Sequence, residues 1–244
     1  MIRILTYNVH RCLGVDGRLD VGRVAAVIAA QAPDIVALQE LDVGRARTGG
    51  VDQAHEIALR LGMTARFHAA LTVEEERYGD AILTALPERL IKAGPLPGHP
   101  RFRRLEPRGA LWVAITVGEV ELEVLNTHLG LVPREQRIQT AALKGPGWLG
   151  RTERRGPLVV TGDLNAGRAS ATFRALMVGM TDARAAAGAG RGTPTFPSQM
   201  PVLQLDHVLV SEGVGVCAVT TPMDALTRRA SDHLPLVVDL EIGG

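Results

Sequence analysis

The chain has 244 residues, 46% of them hydrophobic and 22% charged, with a formal net charge of +1. That balance suits a folded α/β protein with a sizeable core and excludes a disordered or collagen-like chain, while near-neutral charge argues against a surface devoted to gripping nucleic acid along its length. Two cysteines, Cys12 and Cys217, are too few for a disulfide framework.

Residues 2–9 read as a first strand, and Asp20 is placed to cap a helix over 21–31 with Val21, Val24, Ala25 and Ile28 on one stripe. Pro33 stops that helix, and 35–38 form a second buried strand ending at Gln39-Glu40. Asp52 opens another helix that runs through Leu61 and stops at Gly62. Strands follow near 78–84 and 110–117, and Gly118-Glu119 turns the chain into a strand over 120–126. Pro133 begins a helix that holds Arg137 and Ile138 and ends near Leu143. The apolar run at 157–160 predicts a buried strand carrying Asp163 and Asn165 at its end, side by side if the chain stays extended. A short helix is expected over 170–177, a loop over 185–201, and final strands over 205–210 and 236–240. No apolar run reaches the roughly 18 residues that span a bilayer. The N-terminus turns polar too early for a leader, so a cytoplasmic protein is expected.

Strand–helix–strand units interrupted by strand–turn–strand pairs predict mixed sheets covered by helices rather than one parallel sheet. No linker divides the chain, so residues 1–244 are read as a single domain, and a monomer is expected. A faint internal echo is visible. Strand, Asn8, helix, strand and Glu40 recur as strand, His128, helix, strand and Asp163.

Asn8, Glu40, Asn126, His128, Asp163, Asn165, Asp206, Asp232 and His233 each follow or end an apolar run. Carboxylates gathered at strand ends repel one another unless a cation sits among them. Oxygen donors from Asp, Glu and Asn suit a hard ion, Mg²⁺ or Mn²⁺, better than zinc. A phosphate-binding P-loop, a nucleophile elbow and a dinucleotide fingerprint are all absent from the sequence.

Six motifs occur in order: Tyr7-Asn8-Val9-His10, Leu38-Gln39-Glu40, Asn126-Thr127-His128-Leu129, Gly162-Asp163-Leu164-Asn165, Leu205-Asp206-His207 and Ser231-Asp232-His233-Leu234-Pro235. Together they resemble the endonuclease/exonuclease/phosphatase superfamily, the DNase I-like proteins, from residue 2 to about 240. The resemblance implies a four-layer α/β/β/α sandwich of two mixed sheets packed face to face, and Mg²⁺-dependent phosphoester hydrolysis. It implies that Asn8 and Glu40 hold the metal, with Asp232 beside or behind them. Asp163 would deprotonate the attacking water, and Asn165 would hold a phosphate oxygen. His233, oriented by Asp206, and His128 would contact the scissile phosphate. Glu76, in Glu74-Glu75-Glu76, would buttress His128 unless it is simply a solvated acidic turn.

The substrate is less legible. Arg101, Arg103, Arg104 and Arg108 flank Phe102 in a Pro-bounded loop, and Arg104 and Arg108 are candidates to grip a polyanion, unless Arg108 simply pairs with Glu106 or another acid. His10 stands where DNase I-like enzymes place a DNA-contacting Arg, and Asn126 is a further candidate substrate contact. Phe196 either walls the site or anchors its loop. Asp42 sits where nucleases carry a cation, and only 3% of residues are aromatic, which leaves few stacking platforms for DNA. A DNA endonuclease or exonuclease is nonetheless the first expectation. A phosphodiesterase or phosphatase for a phospholipid headgroup, phosphoinositide or small phosphorylated metabolite is the second, and a catalytically dead scaffold the remote third.

Overall fold

Two six-stranded sheets lie face to face in the computed structural model of the protein, which describes residues 1–102, 104–150, 156–188 and 192–243. The first half runs β1 (Ile2–Asn8), α1 (Val21–Ala29), β2 (Ile35–Val43), α2 (Gln53–Leu61), β3 (Thr64–Val73), β4 (Glu76–Thr84), β5 (Glu88–Pro95) and β6 (Gly109–Val117). Then come β7 (Val120–His128), α3 (Pro133–Lys144), β8 (Leu158–Asp163), α4 (Ala171–Leu176), β9 (Thr181–Asp182) and α5 (Ala183–Ala186). The chain closes with β10 (Asp206–Val210), β11 (Val214–Thr220), α6 (Ala225–Ala230) and β12 (Leu236–Ile242). The first sheet has the order β11-β12-β1-β2-β4-β3 and the second β5-β6-β7-β8-β10-β9.

Side-chain alternation sorts each strand into two faces. Ile2, Ile4, Ile35, Ile82, Leu236 and Val238 of the first sheet meet Leu111, Val113, Leu122, Val124, Val159 and Val208 of the second in the core between the sheets. The intervening residues Leu5, Tyr7, Val36 and Leu38 face outward under Val24 and Ile28 of α1 and Ile57 of α2. On the other side Leu125, Leu158 and Val160 pack with Leu143 of α3, Phe173 of α4 and Trp148. The result is the expected α/β/β/α sandwich. Every helix but α3 begins where a side chain accepts an orphan N–H. Asp20 accepts from Arg23 N, Asp52 from His55 N, and Ser170 from Phe173 N, while Pro133 opens α3 at its first turn.

The internal echo has a structural counterpart. β1 and β2 pair in parallel around the crossover helix α1, and β7 and β8 do the same around α3 in the other sheet. The remaining long pairings are antiparallel.

Several expected boundaries shift. β2 does not end at Glu40 but continues to Val43 through a bulge, where Gln39 and Glu40 lie opposite Asp80 and the register slips between Leu38 and Leu41. Helix α1 is two residues shorter than read, and α5 extends into the expected loop over 185–201. Residues 189–191 of that loop, and Arg103, lie outside the described residues. The strands not anticipated, β3, β5, β9 and β11, are the four sheet edges. The three long ones, half open to water, carry mixed polar and apolar residues instead of the buried runs that betray a central strand. Among the described residues no helix is long and apolar enough to cross a membrane.

Candidate functional site

The site is built by one repeated device, an inward-facing strand position that turns from apolar to polar as the strand leaves the core. In β1 the inward series is Ile2, Ile4, Thr6 and then Asn8. In β7 it is Leu122, Val124, Asn126 and His128, and in β8 it is Val159, Thr161 and Asp163. β10 runs the opposite way, so Asp206 comes first and Val208 and Val210 follow. Register then sets the polar ends abreast, with His128 beside Asp163 and Asp163 beside Asp206. Gly162 makes this closeness possible. At φ 134° its backbone lies against Thr127, and a Cβ there would fall 1.9 Å from the Thr127 carbonyl oxygen.

Glu40 reaches the same place by the bulge. Its φ of 62° belongs to the left-handed region, where a side chain leaves the ordinary pleat. Asn8 Nδ2 donates to Glu40 Oε1 and to Asp163 Oδ2, each at 3.0 Å, so one amide joins carboxylates from the two sheets. Asp163 and Asn165 are not side by side on an extended segment, contrary to the sequence reading. The strand ends at Asp163, Asn165 turns at φ 48°, and its N–H donates to Asp163 Oδ1 at 2.8 Å. That turn carries the Asn165 amide to within 3.0 Å of His128 Nε2, where it also donates to the Leu129 carbonyl at 2.9 Å.

The two histidines hold opposite charge states. His233 Nδ1 lies 2.8 Å from Asp206 Oδ2. Burial lowers its pKa, but the charge and hydrogen bond of Asp206, helped by Asp163 and Asp232, overcome this and raise it to about 10. It is an imidazolium with Nε2 3.6 Å from Asp163 Oδ2. His128 is driven well below the ordinary imidazole range, first by burial and then by the charges of Arg108 and His233. Arg108 Nη1 donates to His128 Nδ1 at 2.8 Å; arginine cannot accept, so the neutral ring keeps its proton on Nε2. That N–H and the Asn165 amide are two donors facing one point, a mismatch that an oxyanion accepting from both would relieve. Asp163, buried and opposite Asp206, has its carboxyl pushed up, against the pull of His233 and two hydrogen bonds.

Three expected residues fall elsewhere. Glu76 does not support His128: its carboxylate accepts from Ala46 N at 2.8 Å and Arg45 Nε at 3.3 Å, and Arg108 occupies the position beside His128. Arg108 is a buried support, not an open phosphate grip, with Nη1 also 2.8 Å from Glu106. Asn126 is fully buried and spends its amide on the first sheet. It donates to the Leu38 and Ala81 carbonyls and accepts from Gln39 Nε2 at 2.7 Å, which leaves nothing for a substrate.

The remaining candidates lie at the rim. Arg104 is exposed on its loop. His10 Nδ1 is 3.8 Å from Asp232 Oδ1, and Phe196 packs its ring 4.8 Å from that of His233. Asp42, feared as a repulsive charge, is buried and tied at 2.7 Å by two nitrogens of Arg47.

Asp80 went unnoticed in the sequence. It sits inward on β4 opposite the bulge and accepts from the Glu40 N–H; burial pushes its carboxyl up to about 8, against the charge of Arg108. Its position inside an apolar run, four residues after Glu76, was the available signal.

Asp163, Asp206 and His233 bring ligand atoms within 4.8 Å of one another, a spacing that would admit an ion. Their chemistry says otherwise, because a protonated ring bonded to one carboxylate does not ligate. Glu40, partly open to solvent, with Asp163 and Asn8 beside it gathers oxygen donors of the kind a hard divalent cation takes, and a bound ion would displace the Asn8 N–H groups that now face the two carboxylates.

A model of the Endonuclease/Exonuclease/phosphatase family matches residues 5–233. The uncharacterized protein YbhP of Escherichia coli is 25% identical, over 98% of this chain and 96% of its own length. Among solved structures, an endonuclease/exonuclease/phosphatase from Beutenbergia cavernae superposes with a TM-score of 0.79 at 24% identity, over all of this chain and 72% of that one. A mannosyl-6-phosphatase from Bacteroides thetaiotaomicron does so with 0.77 at 17% identity, over 99% and 100%.

Proposed function

Because the chain belongs to the endonuclease/exonuclease/phosphatase family, we propose that this phosphoesterase is a Mg²⁺- or Mn²⁺-dependent phosphodiester hydrolase, acting first of all on DNA. The observation that carries the reading is the pairing of opposite tasks across the two sheets: carboxylates from β2 and β8 on one side, and N–H donors from His128, Asn165 and His233 on the other.

Asp163 is the base, its raised affinity for a proton matched to taking one from water. The His233 imidazolium and the His128 Nε2–H hold oxygens of the scissile phosphate, and Asn165 adds a third donor. Glu40 and Asn8, with Asp232 directly or through water, would hold the cation, which supplies neutralisation of the charge that develops on phosphorus-bound oxygen. Asp80 positions Glu40 by holding the bulge. Residues 1–244 are read as one catalytic domain working as a cytoplasmic monomer.

DNA ranks first because the feared repulsion at Asp42 is neutralised by Arg47. A small phosphorylated metabolite is the second reading, supported by the likeness to a sugar phosphatase fold. Purified protein with Mg²⁺ or Mn²⁺ should nick supercoiled plasmid and stop on addition of chelator. Intact plasmid alongside turnover of bis-p-nitrophenyl phosphate or sugar phosphates would overturn the DNA assignment and leave the phosphoesterase.

A further inference from the structure

A cleft of about 420 Å³ opens beside the site and is absorbed by none of the roles above. Leu96, His99, Phe102, Leu105, Glu106 and Glu135 line it. Its walls lead to His128 by two routes. Glu106 pairs with the Arg108 nitrogen that also donates to His128 Nδ1. Glu135, in the first turn of α3, presses its carboxylate onto Gly130, where a Cβ would come 2.0 Å from Oε2.

Apart from Glu106, the polar side chains lining the cleft are unspent. Glu135 is 2% exposed, and among the described residues its carboxylate has no hydrogen-bond or ion-pair partner. The side chain is held in place while its carboxylate keeps only a small opening to solvent. His99 is 6% exposed, and its Nδ1 accepts the N–H groups of Arg101 and Phe102, each at 3.1 Å. The ring proton therefore sits on Nε2, which likewise has no partner among the described residues. Phe102 stacks on His99 with centroids 4.6 Å apart and planes at 27°, yet remains 58% exposed. The cleft thus offers one donor, one unpaired charged acceptor and a flat apolar wall, with the second carboxylate, Glu106, tied to Arg108.

We propose that this cleft binds the nucleobase of the substrate, the ring being carried on the phosphoester that reacts at His128; the placement of that ester rests on the function proposed above. A nucleobase presents N–H and an acceptor on neighbouring ring positions and a π-face for Phe102. A quaternary ammonium headgroup would use Glu135 but strand the His99 donor. A hexose would satisfy the polar pair but present no flat face.

The test uses the full chain and phosphorus-free ligands. Guanosine, adenosine, cytidine and thymidine are titrated by NMR, beside choline and methyl mannoside. Saturable nucleoside binding is expected, weakened roughly tenfold or more by Glu135→Gln and by Phe102→Ala. Phe102 is exposed, so its removal leaves the fold intact and keeps the test decisive should Glu135→Gln misfold. No saturable nucleoside binding, tighter binding of choline or the mannoside, or nucleoside binding untouched by Phe102→Ala would each overturn the proposal. Nucleosides carry no phosphorus, so protein that binds them but cleaves no phosphoester would refute the hydrolase reading and spare the cleft, and the reverse result would do the opposite.

Discussion

Asp163 concentrates the argument at the scale of single residues. Replacing Asp163 with Asn removes one charge without opening a cavity, so kcat should fall about 10²- to 10⁴-fold with unfolding unchanged, as turnover and denaturant titration together would show. His233 gives a second readout. Its folded pKa, raised to about 10 from 6.5, means that its contribution to stability is complete below 6.5 and is lost as pH climbs through 10. In Asp206→Asn the largest raising charge and its hydrogen bond disappear, while burial and the smaller pulls of Asp163 and Asp232 remain. The ring should then titrate well below the parent's value, visible as the pH midpoint of its Hε1 resonance. The sequence displayed most of these residues because each is a polar interruption at the end of an apolar run. It could not display partnership. Glu76 was the expected neighbour of His128 and Arg108 a substrate contact, and only the fold decided that the arginine lies beside His128 and the glutamate pairs with Arg45.

At the scale of elements, the site depends on two departures from a regular strand. The β2 bulge turns Glu40 toward Asp163, and the bare backbone of Gly162 lets β8 close on β7. Gly162→Ala forces a methyl onto the Thr127 carbonyl, and the two strands must separate. A loss of about 2 kcal/mol or more is expected in chemical denaturation, with activity falling alongside because His128 and Asp163 move apart. The central strands and α1, α2, α3 and α4 were readable from periodicity and caps such as Asp20, Asp52 and Ser170. The bulge was not, since nothing in Leu38-Gln39-Glu40-Leu41 signals an extra residue without its partner strand. The edge strands were hidden for the opposite reason, because water on one side leaves their patterns mixed.

At the scale of the whole molecule, the candidate site takes its residues from two sheets that covalent continuity alone would not align. Gln39 and Asn126 lock them, with Asn126 reaching β2 and β4 from β7. A cation held by Glu40 and Asn8, which the Asn8 amide ties to Asp163 of the other sheet, would bind only the assembled form. Mg²⁺ or Mn²⁺ should therefore raise the melting temperature of the native protein, and the rise should vanish in Glu40→Gln. An equal rise in that variant would place the ion elsewhere.

The pairing of β1 with β12 joins the first strand to one more than 230 residues later. A ribosome emitting this chain releases Asn8 early and His233 with the final strand, so the growing polypeptide holds only a disconnected fraction of its reactive groups. Assembly of the site is withheld until synthesis has delivered the strand that pairs with the first.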